Sequence, residues 1–213
     1  MATLRDIQRK ISSINSTQTI TRTMKMVSAA KLRRAQEDLD KIKEYAVDLE
    51  GLVGRVAMGM TQDAHPLLQP REEVKKVLIF AVASDRGLCG AFNTNVGLHV
   101  ENFARQNVGN FESITVDIFG RKLRDYLNRR KIEIRKSYVD VKKVDQEMVE
   151  EVAAELVNMY LEGEVDKVYL VYTYFKSPVK QEVRFEEFLP VAPAGEGEYI
   201  DYLCEPSRVA IME

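Results

Sequence analysis

The residues between Ser84 and Asn93 form the segment best suited to ligand chemistry. Gly87 and Gly90 follow an apolar run and precede a predicted helix. A strand, a glycine loop and a helix in this order offer backbone N–H groups and a helix N-terminus to a phosphate. The glycine spacing matches neither of the patterns typical of dinucleotide and nucleoside-triphosphate sites. The glycine pattern therefore favours a tight turn over a nucleotide-binding site.

The other reactive residues do not form a catalytic set. Cys89, next to a predicted helix N-terminus, is a candidate nucleophile, but His99 lies ten residues along the same helix on a different face. His65 lies in a turn-rich linker, and Cys204 has no companion thiol nearby. Two cysteines and two histidines are too few for a disulfide framework or a Cys/His zinc site. We expect no catalytic residue, no metal and no cofactor.

Composition and charge indicate a globular protein with a basic end. Of the 213 residues, 45% are hydrophobic and 30% are charged, and no apolar run approaches the ~20 residues that a membrane span needs. The N-terminus lacks an apolar signal core, so we expect an intracellular protein. Up to Gln36 there are eight basic residues and one acid. This end favours a nucleic acid, a lipid surface or an acidic protein as partner.

Heptad spacing of apolar residues predicts one long helix over residues 4–59. With Leu4 at position a and Ile7 at position d, thirteen of the seventeen a and d residues up to residue 60 are apolar. Thr3 and Asp6 have the spacing of a capping box, and no proline occurs before Pro66. At 1.5 Å per residue the helix would be roughly 80–85 Å long. Such a helix is typical of a coiled coil, so we expect a partner to cover this a/d edge, which we call the seam.

Four consecutive polar positions interrupt the seam, namely Gln18, Thr21, Lys25 and Ser28. The apolar residues of this stretch, Ile20, Met24 and Val27, instead form their own stripe at spacings of four and three. Two interpretations remain open: a shift of register toward another part of the chain, or a surface for a different partner. The stripe is surrounded by basic residues, namely Arg22, Lys25, Lys31, Arg33 and Arg34.

After residue 70 the pattern becomes that of an α/β domain. Segments 76–83 and 168–175 are apolar on both faces, which is typical of buried parallel strands. Further strands are predicted at 114–119, 132–139 and 183–189, the last as an edge strand, and helices at 91–106, at 121–130 and from 145. The alternation predicts a three-layer, Rossmann-like α/β domain with a mainly parallel sheet.

The predicted organisation has four parts. A long N-terminal coiled-coil helix (1–60) and a linker (61–73) precede the Rossmann-like α/β domain (74–190). The tail (191–213) is loop-like at first, and its last residues have the pattern of the start of an apolar helix.

Two segments resemble the γ subunit of F-type ATP synthases. The first is Asn15-Ser16-Thr17-Gln18-Thr19-Ile20-Thr21, running into Met24-Lys25-Met26-Val27-Ser28-Ala29-Ala30-Lys31-Leu32-Arg33. The second is Ser84-Asp85-Arg86-Gly87-Leu88-Cys89-Gly90-Ala91-Phe92-Asn93, which resembles the signature loop of that family. Similar residues follow in the family's order at Tyr45-Ala46, His65-Pro66 and Tyr202-Leu203-x-Glu205-Pro206, so the resemblance covers essentially the whole chain.

The resemblance implies a mechanical role without bond chemistry. In that family the γ subunit is the rotor shaft of the proton-translocating enzyme, and ATP is made on the β subunits. Its long helices enter the α3β3 hexamer, and its globular part lies on the membrane ring of c subunits beside ε. By resemblance, Met24, Lys25, Met26, Val27, Arg33 and Arg34 contact the α3β3 collar, and Tyr202, Cys204 and Glu205 contact the c-ring and ε. The implied location is the cytoplasmic face of the bacterial plasma membrane, with attachment only through the c-ring and no nucleic acid.

Some expectations differ from this picture or compete with it. The family continues beyond residue 213 into a second long helix, so we expect the seam of this chain to be covered by a neighbouring copy, or the helix to bend back on the α/β domain. A second function class is an α/β nucleotide-binding enzyme with a coiled-coil dimerisation arm, motivated by Gly87 and Gly90. A third is a nucleic-acid-binding coiled coil, motivated by the basic end.

Overall fold

A computed structural model of the chain describes residues 3–58 and 65–192. The chain divides into two compact units, residues 1–52 and residues 53–213, which are described in turn. None of the described helices is both long enough and apolar enough to cross a lipid bilayer.

The first unit is formed by helix α1, Leu4–Met58, whose last residues belong to the second unit. The predicted capping box is confirmed at its start: the backbone N–H of Asp6 donates to Thr3 Oγ1 over 3.3 Å, and that of Thr3 donates to Asp6 Oδ2 over 3.0 Å. The hydrogen bonds from Thr3 lower the pKa of Asp6. The helix continues without a break through the threonine-rich stretch, as the heptad pattern predicts.

The seam of α1 is open to solvent. The exposed fraction is 54% for Ile11, 59% for Ile14 and 63% for Ile42. No residue from 3 to 52 has a buried side chain. Residues of the first unit therefore leave the seam uncovered.

The second unit contains a five-stranded sheet with the strand order β3-β2-β1-β4-β5. All neighbouring strands are parallel except β4 and β5, which form an antiparallel hairpin, so β5 is an edge strand as predicted. The strands are β1 Lys76–Val82, β2 Ser113–Phe119, β3 Ile134–Tyr138, β4 Lys167–Phe175 and β5 Gln181–Leu189. The helices are α2 Phe92–Gln106, α3 Arg121–Arg129 and α4 Gln146–Leu161.

Alternate residues of β1 face opposite helix layers, which produces the predicted three-layer α/β fold. Val77, Ile79 and Ala81 pack in a cluster with residues of α2 and α3. Leu78 and Phe80 pack in a second cluster with residues of α4. Because successive side chains of a strand point to opposite faces, this explains why β1 is apolar throughout.

Candidate functional site

The candidate residues on α1 lie on two different faces of the helix. Met24 and Val27 share a stripe with Ile20, and the exposed fractions are 55%, 50% and 60%. At about 100° per residue these three side chains lie within about 60° of arc. Met26 is 67% exposed and lies about 160° away from Met24 around the axis. Lys25 is exposed between the two faces, so the helix presents two apolar surfaces at this level.

The basic candidates Arg33 and Arg34 are also exposed. Arg33 Nε donates to Glu37 Oε1 over 3.0 Å, and both side chains remain largely in solvent. Such an exposed pair along a helix contributes only a few tenths of a kcal/mol. The Arg33 guanidinium can therefore exchange this carboxylate for one of a partner at little cost.

The side chain of Asn93, in the first turn of α2, holds the signature loop, residues 84–90. Its Oδ1 accepts a hydrogen bond from the backbone N–H of Ser84 over 2.9 Å. Its Nδ2 donates to the carbonyl oxygen of Arg86 over 3.3 Å and to Cys89 Sγ over 3.0 Å. One amide group thus fixes three positions of the loop. In the sequence, the signal for this role was the asparagine three residues after Gly90. The asparagine can play this role only because the loop folds back on α2.

The loop also caps helix α3. Gly120 precedes α3 and has no side chain to cap it, and Asp85 Oδ1 instead accepts the backbone N–H of Arg121 over 2.8 Å. A carboxylate at this end of a helix is favoured by the helix dipole. Gly120 has φ 111°, and a Cβ there would lie 2.7 Å from the carbonyl carbon and oxygen of Ala83. The start of α3 and the loop therefore form one closely packed structure.

The tip of the loop is presented to solvent in an unfavourable backbone conformation. Leu88 has φ 64° and its side chain is 99% exposed. The left-handed region costs an ordinary residue roughly 1–2 kcal/mol, so the bonds of Asn93 hold Leu88 where it would not otherwise remain. Strain held in place by surrounding bonds is typical of contact sites. Arg86, Gly87, Cys89 and Gly90 are exposed around it.

The side chains near this loop do not assemble catalytic chemistry. Cys89 Sγ faces the Asn93 amide rather than a base, and His99 Nδ1 lies 2.8 Å from the carbonyl oxygen of Asn95 in its own helix. Within residues 3–58 and 65–192, no three His, Cys, Asp or Glu side chains are placed to hold a metal ion.

A tight contact between α2 and α3 supports the loop. Tyr126 Oη donates to Glu101 Oε2 over 2.9 Å, and Arg130 Nε donates to the same oxygen over 3.0 Å. The bond from Tyr126 is the largest cause that lowers the pKa of Glu101, and attraction to Arg105 and Arg130 adds to it. A Cβ at Gly97 would lie 2.5 Å from the Tyr126 ring, so only glycine allows this approach of the helices.

Ion pairs hold one side of α4 on the sheet. Arg135 binds both carboxylate oxygens of buried Asp117, and its Nη1 donates to Glu155 Oε1 over 2.9 Å. Lys136 Nζ donates to Glu155 Oε2 over 2.6 Å, which lowers the pKa of Glu155. Burial raises the pKa of Asp117, and its pairing with Arg135 opposes that shift. The pair of Arg135 and Asp117 thus links β3 to the neighbouring strand β2.

Helix α4 also borders a groove that the sequence did not predict. Its volume is about 300 Å³. The walls are almost entirely apolar and include Phe80, Val82, Phe119, Met148, Val152 and Leu170. Such walls can accommodate an apolar group but do not present reactive side chains to it. Two apolar residues that line the groove, Val144 and Val149, are 54% and 53% exposed. Apolar residues beyond those that the core buries were therefore the signal in the sequence.

The remaining candidates, Tyr202, Cys204 and Glu205, lie outside the described residues.

Comparison with known proteins identifies the family. The family model described as ATP synthase matches residues 3–213. The ATP synthase gamma chain of Anaeromyxobacter sp. (strain Fw109-5) is 43% identical over 219 residues, with 100% of this chain and 75% of the relative covered. The ATP synthase gamma chain of Prosthecochloris aestuarii is 39% identical with the same coverage.

Solved structures give the same result. The central stalk and c-ring structure of the Tetrahymena thermophila mitochondrial ATP synthase contains a similar chain, with a TM-score of 0.62, 25% identity, and 80% of this chain and 72% of that chain covered. A chain in the rotor of the Euglena gracilis mitochondrial ATP synthase has a TM-score of 0.58 at 20% identity, covering 86% of this chain and 61% of that one, and shows the shared fold. These comparisons support neither the nucleotide-binding enzyme nor the nucleic-acid-binding coiled coil. The chain belongs to the ATP synthase gamma chain family.

Proposed function

We propose that the chain is the central rotor shaft of a proton-translocating ATP synthase, which couples rotation of the membrane c-ring to conformational changes in the α3β3 hexamer. The observation that carries this proposal is α1, unbroken from Leu4 to Met58 and with apolar side chains exposed along its length. One charge crossing 100 mV releases about 2.3 kcal/mol, so several must act together for each ATP. The element that transmits their work must be stiff, and a long helix whose seam is packed against a second helix meets that need.

The contact surfaces follow from the exposed residues. Met24, Lys25, Met26, Val27, Arg33 and Arg34 contact the collar of the α3β3 hexamer, where the arginines meet acidic groups. The exposed tip of the signature loop, centred on Leu88, contacts a further subunit surface. Tyr202, Cys204 and Glu205 contact the c-ring and ε, in accordance with the resemblance of their segment to the family.

The chemistry of ATP takes place on other subunits, and this chain contributes no catalytic residue and no cofactor. Its place is the cytoplasmic face of a bacterial plasma membrane, and the c-ring provides its attachment. The bacterial sources of the gamma chains compared above support this location. Nucleic acid is not a partner, since the basic end is matched to acidic protein surfaces.

Without partners, the chain self-associates through the seam. Eight seam residues from Leu4 to Leu49 are at least 40% exposed, namely Leu4, Ile7, Ile11, Ile14, Leu32, Leu39, Ile42 and Leu49. Full burial of such a side chain contributes roughly 1.5–3 kcal/mol as an upper bound. Sedimentation of the purified chain over a range of concentrations tests this, and a strictly monomeric chain at tens of micromolar would contradict it.

Co-expression with ATP synthase alpha and beta chains of the same organism tests the proposed function. A tag on the beta chain should recover this chain in a fixed ratio of one copy per hexamer. Ile14→Glu, which places a charge on the seam, should reduce the recovery. Asn15→Glu adds the same charge one position away from the seam, at an exposed position on the side of the helix opposite the stripe of Ile20, Met24 and Val27, and serves as the matched control. A native chain that is absent from the purified hexamer would refute the proposal.

A further inference from the structure

Four threonines of α1 direct their hydroxyl groups to the helix backbone. Each hydroxyl donates to the carbonyl oxygen four residues earlier: Thr17 to Ser13 over 2.9 Å, Thr19 to Asn15 over 3.0 Å, Thr21 to Thr17 over 2.8 Å and Thr23 to Thr19 over 3.0 Å. We call these four residues the threonine ladder. A threonine hydroxyl has one hydrogen to donate, so none of the four retains a donor for a partner. Each hydroxyl oxygen keeps only acceptor lone pairs, and the other group that each side chain presents is the γ-methyl.

The threonine ladder borders the apolar stripe of Ile20, Met24 and Val27 on both sides. At about 100° per residue, Thr17 and Thr21 lie on one side of the stripe, and the other two ladder residues lie on the opposite side. Stripe and ladder together cover an arc of about 200°. All these side chains are exposed, and the exposed fractions of the three stripe residues are at least 50%. A segment that reads as polar in the sequence thus presents mainly methyl groups over half of its surface.

The remaining arc of the helix carries the polar groups. Gln18, Arg22 and Lys25 lie within about 60° of one another there. Residues 1–36 carry eight basic side chains and one acidic side chain. The segment therefore combines a broad donor-poor apolar face with a strong positive charge, and a complementary partner presents aliphatic side chains with carboxylates at the rim.

We propose that the threonine ladder and its stripe form a sliding contact for aliphatic side chains of the surrounding α3β3 hexamer, in which the ladder hydroxyls make no hydrogen bond to the partner. This inference rests on the proposed function. Hydrogen bonds are directional and favour one orientation, whereas burial of apolar area is non-directional. A shaft that turns inside a ring keeps such a contact at every angle. Threonine supplies the methyl group while the backbone satisfies its hydroxyl.

Exchange of one group at a time tests the proposal in the full chain. Valine keeps the shape and the outward methyl but removes the hydroxyl, and serine keeps the hydroxyl but removes the methyl. The ladder is replaced entirely by valine in one variant and by serine in another. Affinity is measured for a purified, immobilised hexamer of ATP synthase alpha and beta chains. The same exchanges in two half-sets, Thr17 with Thr21 and Thr19 with Thr23, keep the comparison valid if a fourfold variant loses helix content by circular dichroism.

The expected result is that the valine chain binds at least as tightly as the native chain, and that the serine chain binds at least tenfold more weakly. Loss of one buried methyl corresponds to about fourfold in affinity. Weaker binding of the valine chain together with native-like binding of the serine chain would show that the hydroxyls bond to the ring and would overturn the proposal. Equal binding of all three would place the arc outside the contact and would also overturn it. Failure of the native chain to bind would instead overturn the proposed function.

Discussion

Asn93→Asp should disrupt the signature loop without changing the size of the side chain. The replacement keeps an oxygen to accept the N–H of Ser84 but removes the donors to the Arg86 carbonyl, at 3.3 Å, and to Cys89 Sγ, at 3.0 Å. The new carboxylate oxygen faces the carbonyl oxygen of Arg86 and repels it. Leu88, at φ 64°, then loses the bonds that hold it in the left-handed region.

The expected loss of stability is about 1–2 kcal/mol. Two lost hydrogen bonds contribute roughly 0.5–1.5 kcal/mol each, and a carboxylate in the first turn of α2 recovers about 0.3–1 kcal/mol from the helix dipole. Urea unfolding followed by tyrosine fluorescence measures this, since the chain has nine tyrosines and no tryptophan. Recovery with the tagged α3β3 hexamer gives the second readout, and we expect it to fall as well.

Asn95→Asp is the matched control, since it adds the same charge to an exposed position of the same helix end. Its unfolding midpoint should stay at or slightly above that of the native chain. If the Asn93 and Asn95 variants unfolded at the same urea concentration and were recovered equally with the hexamer, Asn93 would not hold the loop.

Two further predictions concern the contact between α2 and α3. Gly97→Ala should lower the free energy of unfolding in urea by about 1–3 kcal/mol, because the new methyl overlaps the Tyr126 ring. Gly87→Ala is the control and should be near neutral, because its methyl would lie 3.7 Å from its nearest neighbour. Equal effects of the two substitutions would contradict the close packing at Gly97. Glu101→Gln should remove a contribution to the folding stability that depends on pH. The pKa of Glu101 is lowered in the folded chain, so its stabilisation is fully present above the ordinary value of about 4.5 and is lost as the pH falls through the folded value. Thermal unfolding midpoints of native and variant chains should therefore differ most near pH 7 and converge toward pH 3, and a difference independent of pH would contradict this.

Hydrophobic periodicity predicted the elements of the fold well. The heptad pattern predicted a helix over residues 4–59, and α1 is Leu4–Met58. The two-faced apolar segments became the central strands β1 and β4, because burial by helices on both faces of the sheet requires apolar residues at every position. The ends of β3 were less predictable: the sequence favoured 132–139, whereas pairing with β2 includes only Ile134–Tyr138. The turn at Lys131, with φ 58°, delays its start.

Tertiary contacts decided the features that the sequence could not predict. The role of Asn93 depends on a loop that returns to its own helix, and the role of Gly97 depends on the ring of Tyr126, 29 residues further along the chain. Asp117 resembles a surface residue in an apolar strand until Arg135 is placed beside it. The direction of each threonine hydroxyl was equally open, since threonine populates two side-chain rotamers in a helix.

The distance between two points on α1 in the assembled enzyme tests the rotor shaft most directly. Spin labels are attached at Ser12→Cys and Asp48→Cys, both exposed positions, in a chain whose native cysteines are replaced by serine. Thirty-six residues of continuous helix at 1.5 Å per residue predict a single distance of about 54 Å. We expect this distance, with a narrow distribution, both in the isolated chain and in complex with the α3β3 hexamer. A broad or much shorter distance in the complex would mean that the helix is broken there, and would contradict a stiff shaft.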